Sequence, residues 1–172
     1  ADRPRISVTR PATLSAWLRY IETLHPTPVA LGLARVSAVA KRMSVDVACP
    51  TITVAGTNGK GSTCAMLESI LRHAGYRTAL YMSPHLLQFN ERVRIDGVEA
   101  SDEALVAAFD VVESARTAGE TVALTYFEFS TLAALQVFTH ARIDAMVLEV
   151  GLGGRLDAVN IVDADVAVVT SI

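Results

Sequence analysis

The stretch Thr51-Ile-Thr-Val-Ala-Gly-Thr-Asn-Gly-Lys-Gly-Ser62 decides the fold of this chain. Its first five residues, up to Ala55, predict a strand, and the residues from Lys60 to Ala74 predict a helix that ends at Gly75. The glycines lie between these two elements. Such a turn lets backbone N–H groups approach phosphate oxygens, because glycine has no Cβ in the way.

The turn therefore predicts a binding site for the phosphates of a nucleotide. The helix N-terminus adds the positive end of its dipole, and Lys60 adds a mobile positive charge and is a candidate catalytic residue. An ordinary strand-to-helix turn is the alternative, but it leaves Lys60 unexplained. The candidate phosphate ligands are Gly56, Thr57, Asn58, Gly59, Lys60, Gly61 and Ser62.

The spacing of this turn departs from the common nucleotide-binding pattern. Only Thr57 and Asn58 separate the first glycine from Gly-Lys, where the common pattern has four residues, and Gly61 replaces the hydroxyl residue that normally follows the lysine. The hydroxyl that binds Mg²⁺ is thus displaced to Ser62 or absent. We expect the metal to take oxygen ligands from the carboxyl ends of neighbouring strands.

Two residues at predicted strand ends carry such oxygens. Ser83 follows one strand, and Glu149 lies near the end of an apolar strand, where an unpaired carboxylate is costly without a cation. Both are candidate metal ligands, and Glu149 is also a candidate catalytic residue. In the alternative reading Ser83 caps a turn before Pro84 and Glu149 pairs with Arg155.

Outside the turn, short β-branched runs alternate with helical patterns, which predicts an α/β fold with a mostly parallel sheet flanked by helices. The last two strands are almost wholly apolar and are predicted to be buried. A short strand is expected before the tight turn Asp96-Gly97. The predicted strands are 78–82, 92–95, 144–150 and 165–170, and the predicted helices are 101–118 and 127–140.

Residues 1–50 read as a helical lead-in, and residues 51–172 as the α/β core. Thr13 is expected to cap a helix that closes at His25-Pro26, and a second helix covers Leu33 to Met43. Between them, Thr27 to Leu33 is rich in turn formers and forms a candidate substrate loop.

Composition narrows the class of protein. The chain is 51% hydrophobic and 19% charged, which excludes a disordered chain. Its net charge is −3, so it lacks the excess of positive charge that binds a nucleic-acid backbone. No apolar run approaches the roughly 18 residues of a membrane span. Ala1 to Arg10 lacks the apolar region of a secretory signal, and Cys49 and Cys64 read as reduced thiols. We expect a cytoplasmic, monomeric enzyme that acts on small molecules.

Five motifs in matching order give the chain a strong resemblance to the folylpolyglutamate synthase family of the Mur-ligase superfamily. The likeness begins near Trp17, and the stretch Leu124-Thr-Tyr-Phe-Glu128 is similar to the bacterial bifunctional branch, which also makes dihydrofolate. The motifs are residues 56–62, 81–87, 90–95, 124–128 and 148–158.

The resemblance implies the P-loop NTPase-like central domain of a Mur ligase. A smaller C-terminal Rossmann-like domain would follow it, with the active site between the two, and this chain ends at Ile172 before that domain and before a further metal-binding histidine. The whole chain would then be the N-terminal ATP-binding domain. We expect the isolated chain to fold around its sheet but to show negligible ligase turnover.

The resemblance also implies ATP, L-glutamate and dihydropteroate or a reduced folate as partners, with Mg²⁺ bound by Ser83 and Glu149. Ala30 stands where relatives commonly have an aspartate. Two rival classes remain open, namely a Mur-type cell-wall ligase and a non-enzymatic nucleotide-binding module. The implied pteroate or folate contacts are Ala30, Leu31, Gly32, Leu33, Thr125, Tyr126, Phe127, Glu128, Leu156, Asp157 and Ala158.

Overall fold

The computed structural model describes residues 10–27 and 29–172. Outside these ranges lie residues 1–9 and Pro28. The first belong to the N-terminal segment that lacks the pattern of a secretory signal, and Pro28 belongs to the predicted substrate loop. The helices are α1 (Leu14–Ile21), α2 (Ala34–Met43), α3 (Lys60–His73), α4 (Asp102–Thr117) and α5 (Tyr126–Thr139). The strands are β1 (Thr51–Ala55), β2 (Thr78–Tyr81), β3 (Val93–Ile95), β4 (Val98–Glu99), β5 (Ala145–Glu149) and β6 (Val166–Val169).

The six strands form one sheet in the order β4-β3-β2-β5-β1-β6. Strands β2, β5, β1 and β6 run parallel, and Thr53 of β1 pairs with Leu148 on one side and Ala167 on the other. Strands β3 and β4 form an antiparallel hairpin around Asp96 and Gly97, which both have positive φ. The predicted α/β class with a mostly parallel sheet is confirmed.

The two faces of the sheet carry unequal layers of helix. Helices α1, α2, α4 and α5 cover one face and pack against alternate strand residues such as Tyr81 and Leu148. Helix α3 covers the other face over Leu80 and Val147, the chain neighbours of those residues. Successive side chains of a strand point to opposite faces, so one run of apolar residues supplies both layers.

Two helix starts agree with the sequence, which predicted Thr13 as a cap and a helix that begins at Ser101. The Thr13 and Ser101 hydroxyls each accept a backbone N–H three residues on, from Ala16 and Ala104, at 3.3 Å. Helix α1 ends at Ile21, before the predicted end at His25-Pro26. Among the described residues, no helix combines the length and apolar character needed to cross a membrane.

The predicted burial of the last strand is wrong. Strand β5 is buried along its whole length, as predicted, but Val166 and Val169 of β6 are 52% and 61% exposed. Strand β6 lies at the edge of the sheet, and within the described ranges only β1 pairs with it. The apolar composition of a strand does not say which element covers it.

Candidate nucleotide and substrate site

The glycine-rich turn lies at the carboxyl end of β1, between its neighbours β5 and β6. Gly59 adopts the left-handed conformation, with φ +81°, and α3 begins at the next residue. The N–H groups of Lys60, Gly61 and Ser62 belong to the first turn of α3, so they have no carbonyl acceptor within the helix. These donors and the positive end of the helix dipole form a site suited to an anion.

Lys60 folds back over this turn. Its Nζ donates to the carbonyl oxygens of Gly56 and Thr57, at 3.0 and 3.5 Å. The ammonium group therefore lies directly beside the backbone donors, where it can move onto a phosphate group when one is bound.

The turn is fixed to the end of β6 by two residues that the sequence analysis missed. The Thr170 hydroxyl donates to the carbonyl of Asn58 at 2.8 Å, and the N–H of Thr57 donates to the carbonyl of Ser171 at 2.8 Å. Gly56 has φ +135°, and a Cβ placed there would lie 2.0 Å from the Thr170 hydroxyl oxygen. Glycine is therefore required at position 56 by both conformation and space.

Glu149 is a buried carboxylate beside the turn. Its Oε2 accepts the backbone N–H of Ser83 at 2.8 Å, and the position of a Cβ on Gly61 lies 3.8 Å from its Oε1. Burial raises the pKa of Glu149, while the Ser83 N–H and the charge of Lys60 oppose that rise. The alternative pairing with Arg155 is not observed between these described residues.

Ser83 and Glu149 form a donor set that suits Mg²⁺. The hydrogen bond from Ser83 uses its backbone N–H and leaves the hydroxyl available as a ligand. Within the described ranges no cluster of three His, Cys, Asp or Glu side chains is present. Mg²⁺ typically takes one or two protein oxygens together with waters and substrate phosphates, so a carboxylate and a hydroxyl beside a phosphate site fit it.

A pocket of about 300 Å³ opens next to Ser83 and Pro84. Its walls are loop 29–32, the start of α5 and segment 151–158. Of the predicted substrate contacts, Leu33 and Tyr126 do not line this pocket. Those that line it are Ala30, Leu31, Gly32, Thr125, Phe127, Glu128, Leu156, Asp157 and Ala158.

The ring of Phe127 lies against the backbone of Gly151. A Cβ on Gly151 would meet the ring at 2.6 Å, and the ring centroid lies 5.9 Å from that of Tyr81. The ring is thus held between the backbone and a buried tyrosine, and it forms part of the pocket wall. A flat, fixed aromatic face suits a flat aromatic ligand.

Asp157 organises the wall formed by segment 151–158. Its carboxylate accepts the N–H groups of Leu152 and Val159 at 2.9 and 3.1 Å. Burial raises the pKa of Asp157, and these amides oppose the rise. The side chain therefore holds segment 151–159 in shape, a role that the sequence analysis did not foresee.

Arg92 lines the pocket and was missed as a site residue, because its motif was interpreted as the start of a strand. Its guanidinium lies 5.5 Å from the ring centroids of both Phe89 and Tyr126, and its Nε donates to Nδ1 of His85 at 2.8 Å. Burial and the charge of Arg92 lower the pKa of His85. Tyr126 therefore does not line the pocket itself, but its ring contacts Arg92, which does.

The fold and the glycine-rich turn are those of an α/β domain of the P-loop type. No protein-family model matches the chain. Dihydrofolate synthase/folylpolyglutamate synthase of Escherichia coli is 58% identical over 92% of this chain and 37% of its own length. The Haemophilus influenzae protein of the same name is 52% identical over 92% of this chain and 36% of its own.

Solved structures agree with these sequence matches. The structure described as E. coli FolC in complex with DHPP and ADP superposes with a TM-score of 0.89 and 56% identity, over 94% of this chain and 38% of that one. Mycobacterium tuberculosis folylpolyglutamate synthase complexed with ADP superposes with a TM-score of 0.79 and 34% identity, over 90% of this chain and 36% of that one. By sequence and fold, over more than nine tenths of its length, the chain is similar to dihydrofolate synthase/folylpolyglutamate synthases. It spans less than two fifths of the length of the curated relatives that it matches.

Proposed function

We propose that the chain forms the ATP- and pteroate-binding part of a ligase that joins L-glutamate to dihydropteroate and to reduced folates. The observation that carries this proposal is the position of Ser83. Its N–H binds Glu149 beside the phosphate turn, and the same residue lines the pocket of about 300 Å³. A phosphoryl donor bound at the turn would therefore lie next to an acceptor bound in the pocket.

The proposed chemistry proceeds through an acyl phosphate. A carboxylate does not condense with an amine in water because its oxygen is a poor leaving group. Transfer of the γ-phosphoryl group of ATP to that oxygen makes phosphate the leaving group, and the amine of glutamate then displaces it. Lys60 and the amides of the turn neutralise the charge on the moving phosphoryl group.

Mg²⁺ held by Ser83 and Glu149 would supply further positive charge at the phosphates. The ligands bound in solved relatives support this choice of partners. One solved relative holds Mn, AMPPNP and L-glutamate, and another holds DHPP and ADP. We extend these ligand classes to this chain as ATP with Mg²⁺, L-glutamate, and dihydropteroate or a reduced folate. A cytoplasmic location and a monomeric state remain part of the proposal.

A phosphate-release assay tests the function. It uses a chimaera in which this chain replaces the matching residues of the E. coli relative. With ATP and glutamate present, we expect dihydropteroate and tetrahydrofolate to stimulate release and a muramyl precursor to have no effect. Stimulation by the muramyl precursor alone would assign the chain to a Mur-type cell-wall ligase. The isolated 172-residue chain is expected to show negligible turnover, because its relatives are much longer.

Replacement of Gly151 by alanine should weaken the use of dihydropteroate. The new methyl group would displace the Phe127 ring, which lies 2.6 Å from the Cβ position, and we expect KM for dihydropteroate to rise about ten-fold. KM for ATP should change little. Gly154→Ala is the matched control, since no atom lies within 4 Å of its Cβ position. Equal effects of the two variants would show that the Phe127 contact does not shape the pocket.

A further inference from the structure

Arg35 connects two walls of the pocket without lining it. Its Nη2 donates to the carbonyl oxygen of Ala30 at 2.7 Å and to Oε1 of Glu128 at 2.9 Å, and its Nε donates to Oε2 of Glu128 at 3.4 Å. Ala30 belongs to loop 29–32, and Glu128 lies in the first turn of α5. One guanidinium group thus joins the loop to the helix start.

The anchor at the helix side is rigid. Glu128 is buried, and its Oε2 also accepts the N–H of Thr125 at 2.8 Å, while its own N–H donates to the Thr125 hydroxyl at 3.2 Å. This reciprocal capping box holds the carboxylate independently of Arg35. The guanidinium has the planar fork that binds a carboxylate and keeps a donor for the loop carbonyl.

The loop has a second attachment, which joins it to segment 151–158. The N–H of Gly32 donates to the carbonyl oxygen of Leu156 at 3.2 Å. Gly32 has φ +132°, and no atom lies within 4 Å of its Cβ position, so its neighbours do not wedge the loop in place. Two hydrogen bonds thus attach loop 29–32 to the rest of the described chain, one from the Gly32 N–H and one from Arg35 to the Ala30 carbonyl.

We propose that Arg35 is a positioning residue that holds loop 29–32 against α5 and so sets the width of the substrate pocket. The proposal rests on the pteroate-binding function inferred for that pocket. Without the guanidinium, the carbonyl of Ala30 loses its link to Glu128 and the loop can move away from Phe127. Binding of a flat ligand between the two walls then requires ordering of the loop, which weakens affinity.

Arg42 provides the matched control on the same helix. Its Nη1 donates to the carbonyls of Ala115, Arg116 and Glu120 at 3.0, 3.2 and 3.1 Å, and so joins α2 to the end of α4. It does not line the pocket. Arg42→Ala removes a side chain of the same type and size, and any effect on folding alone should appear in both variants.

The first measurement is amide hydrogen exchange at Gly32 in the 172-residue chain. We expect Arg35→Ala to accelerate exchange at Gly32 about ten-fold, which corresponds to about 1.4 kcal/mol. Arg42→Ala should leave this amide unchanged. Arg35→Lys retains the charge but lacks the planar fork, so its exchange rate should lie between those of the wild type and Arg35→Ala.

The second measurement is steady-state kinetics in the chimaera. Arg35→Ala should raise KM for dihydropteroate about ten-fold, with little change in KM for ATP or in kcat, because only the positioning of one substrate is affected. Unchanged Gly32 exchange in Arg35→Ala and Arg35→Lys, or equal effects of Arg42→Ala, would overturn the positioning role. If the wild-type chimaera does not use pteroates, the proposed function fails, while Gly32 exchange still decides whether Arg35 holds the loop.

Discussion

Replacement of Lys60 by alanine is expected to lower phosphate release by the chimaera about 100-fold or more, the scale on which loss of one charge-stabilising donor slows catalysis. The Nζ of Lys60 lies 3.0 Å from the carbonyl of Gly56, beside the open N–H groups of the first turn of α3. No other lysine of the chain lies near this turn in sequence, since the second is Lys41. The loss should appear with dihydropteroate and with tetrahydrofolate, because both reactions use the same phosphoryl donor.

Lys41→Ala is the control for this experiment, since it removes the other lysine from an exposed position on α2. We expect its rate of phosphate release to match that of the wild type. A Lys60→Ala variant that releases phosphate at the wild-type rate would contradict the assignment of the turn. ATP binding should be measured in the same variants, because this separates a loss of ATP binding from a loss of phosphoryl transfer.

Glu149→Gln should have two effects of opposite sign. The carboxylate is buried and hydrogen-bonded to the Ser83 N–H, and within the described ranges it forms no ion pair. A neutral amide avoids the cost of burying that charge, so the metal-free variant should melt at a higher temperature than the wild type. Mg²⁺ with ATP should raise the Tm of the wild type but not that of the variant, and the variant should show no metal-dependent phosphate release.

Glu113→Gln tests whether this behaviour is specific to position 149. Glu113 is also buried, but its carboxylate accepts two hydrogen bonds from Arg116, at 2.5 and 2.8 Å. Neutralising it leaves a buried guanidinium without its negatively charged partner, so the Tm should fall. The stabilisation by Mg²⁺ and ATP should persist. A wild-type response to metal in Glu149→Gln would remove Glu149 from the metal site.

Local signals in the sequence predicted most of the fold. The capping residues Thr13 and Ser101 each act within one helical turn, so their effect is readable without tertiary information. The cap at Thr125 was not predicted. The strand-to-helix turn at Gly56 is equally local. The exposure of β6 was not predicted, because burial depends on which elements lie above and below a strand, and a run of valines is the same in either case.

Much of the proposed site was also predicted, although partly from the family resemblance. Arg35, Arg92, Gly151 and Thr170 were missed. Each acts on a residue far away in sequence, as when Arg35 binds Glu128 across 93 positions or Thr170 binds Asn58 across 112. No spacing rule connects such pairs. Only the contact between two elements shows that they interact.

The sequence by itself determined the parallel α/β class, the phosphate turn and the two candidate metal ligands. These follow from local conformational preferences, from the alternation of apolar residues and from the chemistry of side chains at strand ends. The tertiary structure alone decided that Ser83 joins the phosphate turn to the pocket and that Arg35 joins loop 29–32 to α5. Such links depend on distances between elements, and those distances are set only when the helices pack on the sheet.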